Sequence, residues 1–74
     1  MEKVEVQSSN IKMLRFNQNE ETLDVWFNNS FEKEFYRYKN IDLIAYTELL
    51  TAESKGKHFA KHFRSLPFEK IPVE

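Results

Sequence analysis

Leu23-Asp24-Val25-Trp26-Phe27 alternates without interruption, with Leu23, Val25 and Phe27 on one side and Asp24 and Trp26 on the other. A period of two is the mark of a half-buried β-strand, because successive side chains point to opposite faces. Turn-forming residues bracket it: Asn17-Gln18-Asn19-Glu20-Glu21 before and Asn28-Asn29-Ser30 after. Asparagine suits both places, since its side chain bonds to nearby backbone and it tolerates left-handed conformations. Upstream, Ile11 to Phe16 reads as a partner strand with Leu14 and Phe16 inward and Met13 and Arg15 outward. Downstream, Phe31 to Lys39 reads as a third, with Tyr36 and Tyr38 on one face and Phe35 and Arg37 on the other. Short connections make the three an antiparallel meander.

Past Lys39 the period lengthens. Ile41, Ile44, Ala45, Leu49 and Ala52 recur at helical spacing and predict an amphipathic helix, with Asn40 as its cap and Asp42 in the first turn. Gly56, the only glycine, is placed to break that helix. Phe59, Phe63 and Leu66 then form a second apolar stripe that ends at Pro67. The expected fold is therefore α+β: a three-stranded antiparallel meander followed by two C-terminal helices packed on one face of the sheet. Residues 1–66 make the domain, and 67–74 a tail with Phe68 and Ile71 as anchors.

Composition bounds what such a domain does. A chain of 74 residues is one domain, and at that size it buries about 60–65% of its unfolded surface. Seven Phe, three Tyr and one Trp supply the bulk of the core. With no cysteine, neither disulfides nor a thiolate metal site is available. The charged start Met1-Glu2-Lys3-Val4-Glu5 is followed by no long apolar run, so no signal peptide and no membrane contact are expected, and the cytoplasm is the expected location. Net charge is −1, yet Ser54 to Leu66 holds Lys55, Lys57, Lys61 and Arg64 with His58 and His62 and no acid.

Taken together, Ser8-Ser9-Asn10-Ile11, the strand Leu23 to Phe27, Tyr36-Arg37-Tyr38 and the run Leu49 to Phe59 resemble the KTSC domain. That short family is named for the C-terminal extension of some lysyl-tRNA synthetases and also occurs as stand-alone bacterial and phage proteins. The resemblance spans roughly Val4 to Arg64. Its most specific parts are the Tyr36-x-Tyr38 pair and the stretch Ala52-x-Ser54-x-Gly56-x-x-Phe59. The chain departs from the family near Ser30, where a turn glycine is usual, and at Asp42, where a proline commonly opens the first helix. The resemblance implies a β-rich N-terminal half with C-terminal helices, and RNA binding is the function suggested for the family.

Two surfaces are candidates for a partner. With the helices on the Leu23-Val25-Phe27 side, the opposite side carries Met13, Arg15, Trp26, Phe35 and Arg37. Aromatics interleaved with arginines on an open sheet offer bases a stacking platform. The same face serves equally as a homodimer or protein-partner surface, or as a seat for Val4 to Val6 or for the tail. The second candidate is the stripe Lys57, Lys61 and Arg64 at i, i+4 and i+7, with Lys55 just before, which matches a row of phosphates or a solvated helix face. His58 and His62 have metal-ligand spacing without a third ligand, so no metal is expected. Tyr36 and Tyr38 read as core residues, Ser8-Ser9-Asn10 as a turn, and Ser54 and Gly56 as helix punctuation. With no thiol, no phosphate-cradling glycine loop and little room for a deep pocket, neither catalysis nor a cofactor or small-molecule substrate is expected. The leading expectation is an RNA-binding module; the alternative is a protein-interaction or self-association module using the aromatic face.

Overall fold

The computed structural model describes residues 3–73; Met1, Glu2 and Glu74, at the ends of the expected domain and tail, lie outside the described residues. Four strands come first: β1 (Val4–Glu5), β2 (Ile11–Asn17), β3 (Thr22–Phe27) and β4 (Glu34–Lys39). Helices α1 (Leu43–Thr51) and α2 (Lys55–His62) follow, and β5 (Phe68–Pro72) closes the chain. The sheet has five strands in the order β1-β2-β3-β4-β5, every neighbour antiparallel. This corrects the expected three-stranded meander. The central three strands are where the sequence places them, but a strand is added at each edge, and the helices lie between β4 and β5 instead of ending the fold.

The edge strands escape pattern reading for physical reasons. β1 has only two residues, both exposed. In β5, Phe68 and Ile71 stand three apart and Pro72 ends the strand, so no alternation shows. Proline is tolerated there because an edge strand leaves one side of its backbone unpaired. Phe68 pairs with Tyr38 and Ile71 with Phe35, so both expected anchors hold, as strand residues.

β3 is buried along both faces from Leu23 to Trp26. On the helix side, Ile11, Leu14, Leu23, Val25, Tyr38, Ile41, Leu49, Phe59 and Phe63 form the core. Each fully buried aliphatic or aromatic side chain there stabilises the fold by about 1.5–3 kcal/mol. α2 is shorter than the expected stripe: it ends at His62, with Phe63 as its C-cap and Leu66 in the turn beyond, while Phe59 and Phe63 are buried against the sheet as expected. Its cap is Ser54, whose Oγ accepts from the Lys57 N–H at 3.3 Å. Gly56 does not break the preceding helix; it lies in the first turn of α2, where a Cβ would come within 3.2 Å of Asn10 Nδ2. A close approach to the Ser8–Asn10 turn, not a helix end, is what the missing side chain permits.

α1 differs in phase. Asp42, not Asn40, is its cap, with Oδ1 accepting from the Ala45 N–H at 2.8 Å, while Asn40 adopts φ 64° in the preceding turn. With the helix starting there, Leu49 is buried and Ala45, Tyr46 and Leu50 are half-buried, whereas Ile44 is 71% exposed. Tyr46 sets this phase by stacking on Phe16, ring centroids 4.4 Å apart and planes 14° apart. The expected third strand is also shorter: residues 31–33 belong to a turn in which Ser30 C=O accepts from the N–H of Lys33 and of Glu34.

Candidate nucleic-acid interface

The two expected partner surfaces lie on opposite sides of the sheet. Register puts Met13 beside Trp26, Arg15 beside Asp24 and Arg37 beside Asp24, all on the face turned away from the helices, with Phe35 next to Trp26. α2 packs on the other face, where Phe59 meets Phe27 and Tyr38 edge-on at 5.5 and 5.1 Å. Arg15, Trp26, Phe35 and Arg37 therefore share no surface with Lys55, Lys57, Lys61 and Arg64.

The outer face has the expected residues and not the expected openness. Trp26 is 3% exposed. Phe35 stacks on it at 4.6 Å, the Arg15 guanidinium lies 5.2 Å from its ring, and Lys3 Nζ lies 5.0 Å away. Such cation–π contacts add about 0.5–1 kcal/mol each where water still reaches. Both arginines are engaged with Asp24, which is buried. Arg15 donates to its Oδ2 from Nε and Nη2 at 2.9 and 2.8 Å; Arg37 donates from Nε to Oδ1 at 2.7 Å and from Nη2 to Oδ2 at 3.2 Å. The hydrogen bond to Asp24 raises the Arg37 pKa further above its ordinary value, against a smaller lowering by burial. Asp24 was legible only as an outward strand residue; its place between two outward arginines on neighbouring strands was the available signal.

On the helix side, the exposed cations stand free. Lys57, Lys61 and Arg64 are exposed and Lys55 is partly so, and among the described residues none of the four forms an ion pair. His58 and His62 lie with ring centroids 4.5 Å apart, and the described residues hold no cluster of three or more metal-ligating side chains.

Between α2 and the sheet opens a half-enclosed cleft of about 430 Å³, more room than a chain of this length was expected to offer. Its walls bring together four of the five motif residues: Tyr36, Tyr38, Gly56 and Phe59. Ser54 stays outside, as the cap. Ile11 and Phe27 complete the apolar floor, and Asn10, Asn28, Asn29, Ser30 and Arg64 stand at the polar edge. Tyr36 is half-buried, its hydroxyl donating to Glu34 Oε2 at 3.2 Å; its ring meets Phe27 edge-on at 5.2 Å and Phe68 at 5.5 Å. The Ser8–Asn10 turn is held to the cleft wall: Ser8 Oγ accepts from the N–H of Asn10 and of Ile11, and Asn28 Nδ2 donates to Ser8 C=O at 3.0 Å. Asn28, Asn29 and Ser30 read from sequence as a turn alone; only folding places them opposite α2.

A small α+β domain with a β-rich N-terminal half and helices after it is what the motif resemblance implies, and here Tyr36, Tyr38, Gly56 and Phe59 of the motifs also meet in one cleft. The KTSC domain model matches residues 7–66, and the chain belongs to the KTSC domain family. A solved KTSC domain protein from Yersinia pestis is similar in fold, with a TM-score of 0.80 at 22% identity over 99% of this chain and 97% of that one. No curated protein sequence matches the chain. No helix among the described residues is long and apolar enough to cross a membrane.

Proposed function

We propose that this domain is a non-catalytic binding module for single-stranded RNA and meets it with the α2 side of the molecule. One observation carries the reading: Lys57 and Lys61 on α2 and Arg64 in the turn just past its end are exposed and unpaired among the described residues, with Arg64 at the lip of the aromatic cleft. Cations along a helix match successive phosphates, and aromatic rings beside them match the bases between. The outer face drops out of the interface, because Trp26 is covered and both arginines are committed to Asp24. RNA is favoured over DNA by the family's occurrence at the end of lysyl-tRNA synthetases.

The test is affinity for a single-stranded RNA oligonucleotide as a function of salt. Contacts from Lys55, Lys57, Lys61 and Arg64 give a log–log slope of roughly −3, about 0.7 per phosphate on a single strand. Replacing Lys57, Lys61 and Arg64 together by Gln flattens that slope and weakens binding at least tenfold, whereas Arg37→Gln leaves both unchanged. An affinity indifferent to the triple change removes α2 from the interface.

A second reading, self-association or a protein partner, draws on a different surface from the aromatic face. Leu43 and Ile44, on α1, are 48% and 71% exposed side by side. Concentration-dependent sedimentation that Ile44→Lys abolishes would favour it.

A further inference from the structure

Resting on the RNA reading, we infer that the cleft between α2 and the sheet is a pocket for one unstacked nucleobase, whose phosphate sits on Arg64. Three features point to this ligand. The floor is aromatic, made by Phe27, Tyr36, Tyr38 and Phe59, and every base has a π-face to lay against such a surface. The polar edge is amide and hydroxyl, from Asn10 beside Gly56 and from Asn28, Asn29 and Ser30, groups that both donate and accept as base edges require. Among the described residues the only charged residue lining the cleft is Arg64, which draws an anion attached to the base; the Glu34 carboxylate stands outside the lining and accepts from the Tyr36 hydroxyl. At about 430 Å³ the space falls within the range of about 300–1,000 Å³ typical of small-ligand sites.

A second hollow, on the far face of the sheet, makes the contrast. It measures about 410 Å³ and is walled by Arg15, Asn17, Glu20, Thr22, Asp24 and Arg37. It has no aromatic wall and two carboxylates, and its guanidinium groups already bond Asp24. It offers a base nothing to stack on. The first cleft also explains why Gly56 carries no side chain: a Cβ there would press on Asn10 at the cleft edge.

The experiment plugs the cleft without touching the cations. Ala60 lines it from the exposed side of α2, so Ala60→Phe fills the space while Lys57, Lys61 and Arg64 remain. Binding of single-stranded RNA is measured for wild type and Ala60→Phe. Amide shifts of the wild type are followed with the four nucleoside 5′-monophosphates and with inorganic phosphate, which needs no variant to fold. The inference expects nucleotide shifts at Asn10, Asn29, Ser30 and Tyr36 that phosphate does not reproduce. It also expects Ala60→Phe to weaken RNA binding about tenfold, the order of losing one stacked base, with the salt slope intact. RNA binding that is salt-dependent yet indifferent to Ala60→Phe, with silent cleft amides, overturns the pocket and leaves the RNA reading standing. Identical shifts from phosphate alone reduce the site to an anion contact and overturn it as well. No binding of RNA by the wild type sinks both readings.

Discussion

The indole of Trp26 lies stacked on the ring of Phe35, centroids 4.6 Å and planes 29° apart, on the sheet face opposite the helices. A tryptophan there is 3% exposed because Arg15 of β2, Phe35 of β4 and Lys3 of the N-terminal segment close over it. The face that resembles an open stacking platform is thus a second, small core roofed by cations. Trp26 emission should be blue-shifted at every protein concentration and unmoved by RNA. Trp26→Ala should cost about 3–5 kcal/mol in urea unfolding, as for other core tryptophans. Red-shifted emission, or quenching by RNA, would contradict this packing.

Asp24 predicts an asymmetry between its own loss and that of its partners. Its side chain is 5% exposed, while those of Arg15 and Arg37 are 27% and 36% exposed. Asp24→Asn leaves two guanidinium groups that reach water, and should cost about 1–3 kcal/mol. The double change Arg15→Met with Arg37→Met leaves a buried carboxylate with no cation, and should cost about 3–5 kcal/mol. Denaturant midpoints of the two variants settle the order; a costlier Asp24→Asn would mean that the arginines, not the carboxylate, depend on the pairing.

Deleting residues 68–74 removes β5, which pairs with β4 from Glu34 to Tyr38. Phe68 packs against Tyr36 and Tyr38 at 5.5 and 5.3 Å. The truncated chain should unfold at a lower temperature, losing at least about 2 kcal/mol for the uncovered rings. A melting temperature equal to that of the full chain would make the segment a tail after all.

Tyr38 predicts loss of stability at alkaline pH. Burial pushes its phenol above the ordinary value, Tyr36 adds to the rise and Arg64 opposes it; burial also raises Tyr46. Above about pH 10 the unfolded chain gives up these protons while the folded chain keeps them. The unfolded state then binds fewer protons, so the stabilisation is whole below about pH 10 and is lost as pH climbs through the folded values. Tyr38→Phe and Tyr46→Phe should each make the decline shallower, as read from urea midpoints across that range. A wild-type midpoint that stays level above about pH 10 would show that neither phenol is held neutral.

How much was legible differs residue by residue. The alternation from Leu23 to Phe27 places Trp26 on the outer face correctly, because the pleat allows no other assignment once register is set. Whether that side chain is open to solvent is another matter, since Arg15, Phe35 and Lys3 arrive from other segments. In α1, the spacing of Ile41, Ile44 and Leu49 fits a stripe, yet the helix starts two residues past Ile41 and Tyr46 claims the sheet, turning Ile44 outward. The basic row Lys57, Lys61 and Arg64 was visible as spacing, although the helix ends at His62 and leaves Arg64 in the turn beyond; its neighbour, the cleft, was not. Its walls come from the turn at residues 8–10, β2, β3, the turn at residues 28–30, β4, α2 and Arg64 just after it.

What this sequence determines by itself is what depends on neighbours in the chain. That covers the period-two core strands, the Phe59–Phe63 stripe, the Ser54 cap and the acid-free charge of α2, because each is set by dihedral geometry over a few residues. The tertiary structure alone decided the two edge strands, the covering of Trp26, the sharing of Asp24 and the convergence of the motif residues on one cleft. Those depend on which distant surfaces meet. Burial and ion pairing are properties of the meeting, and no local pattern encodes them.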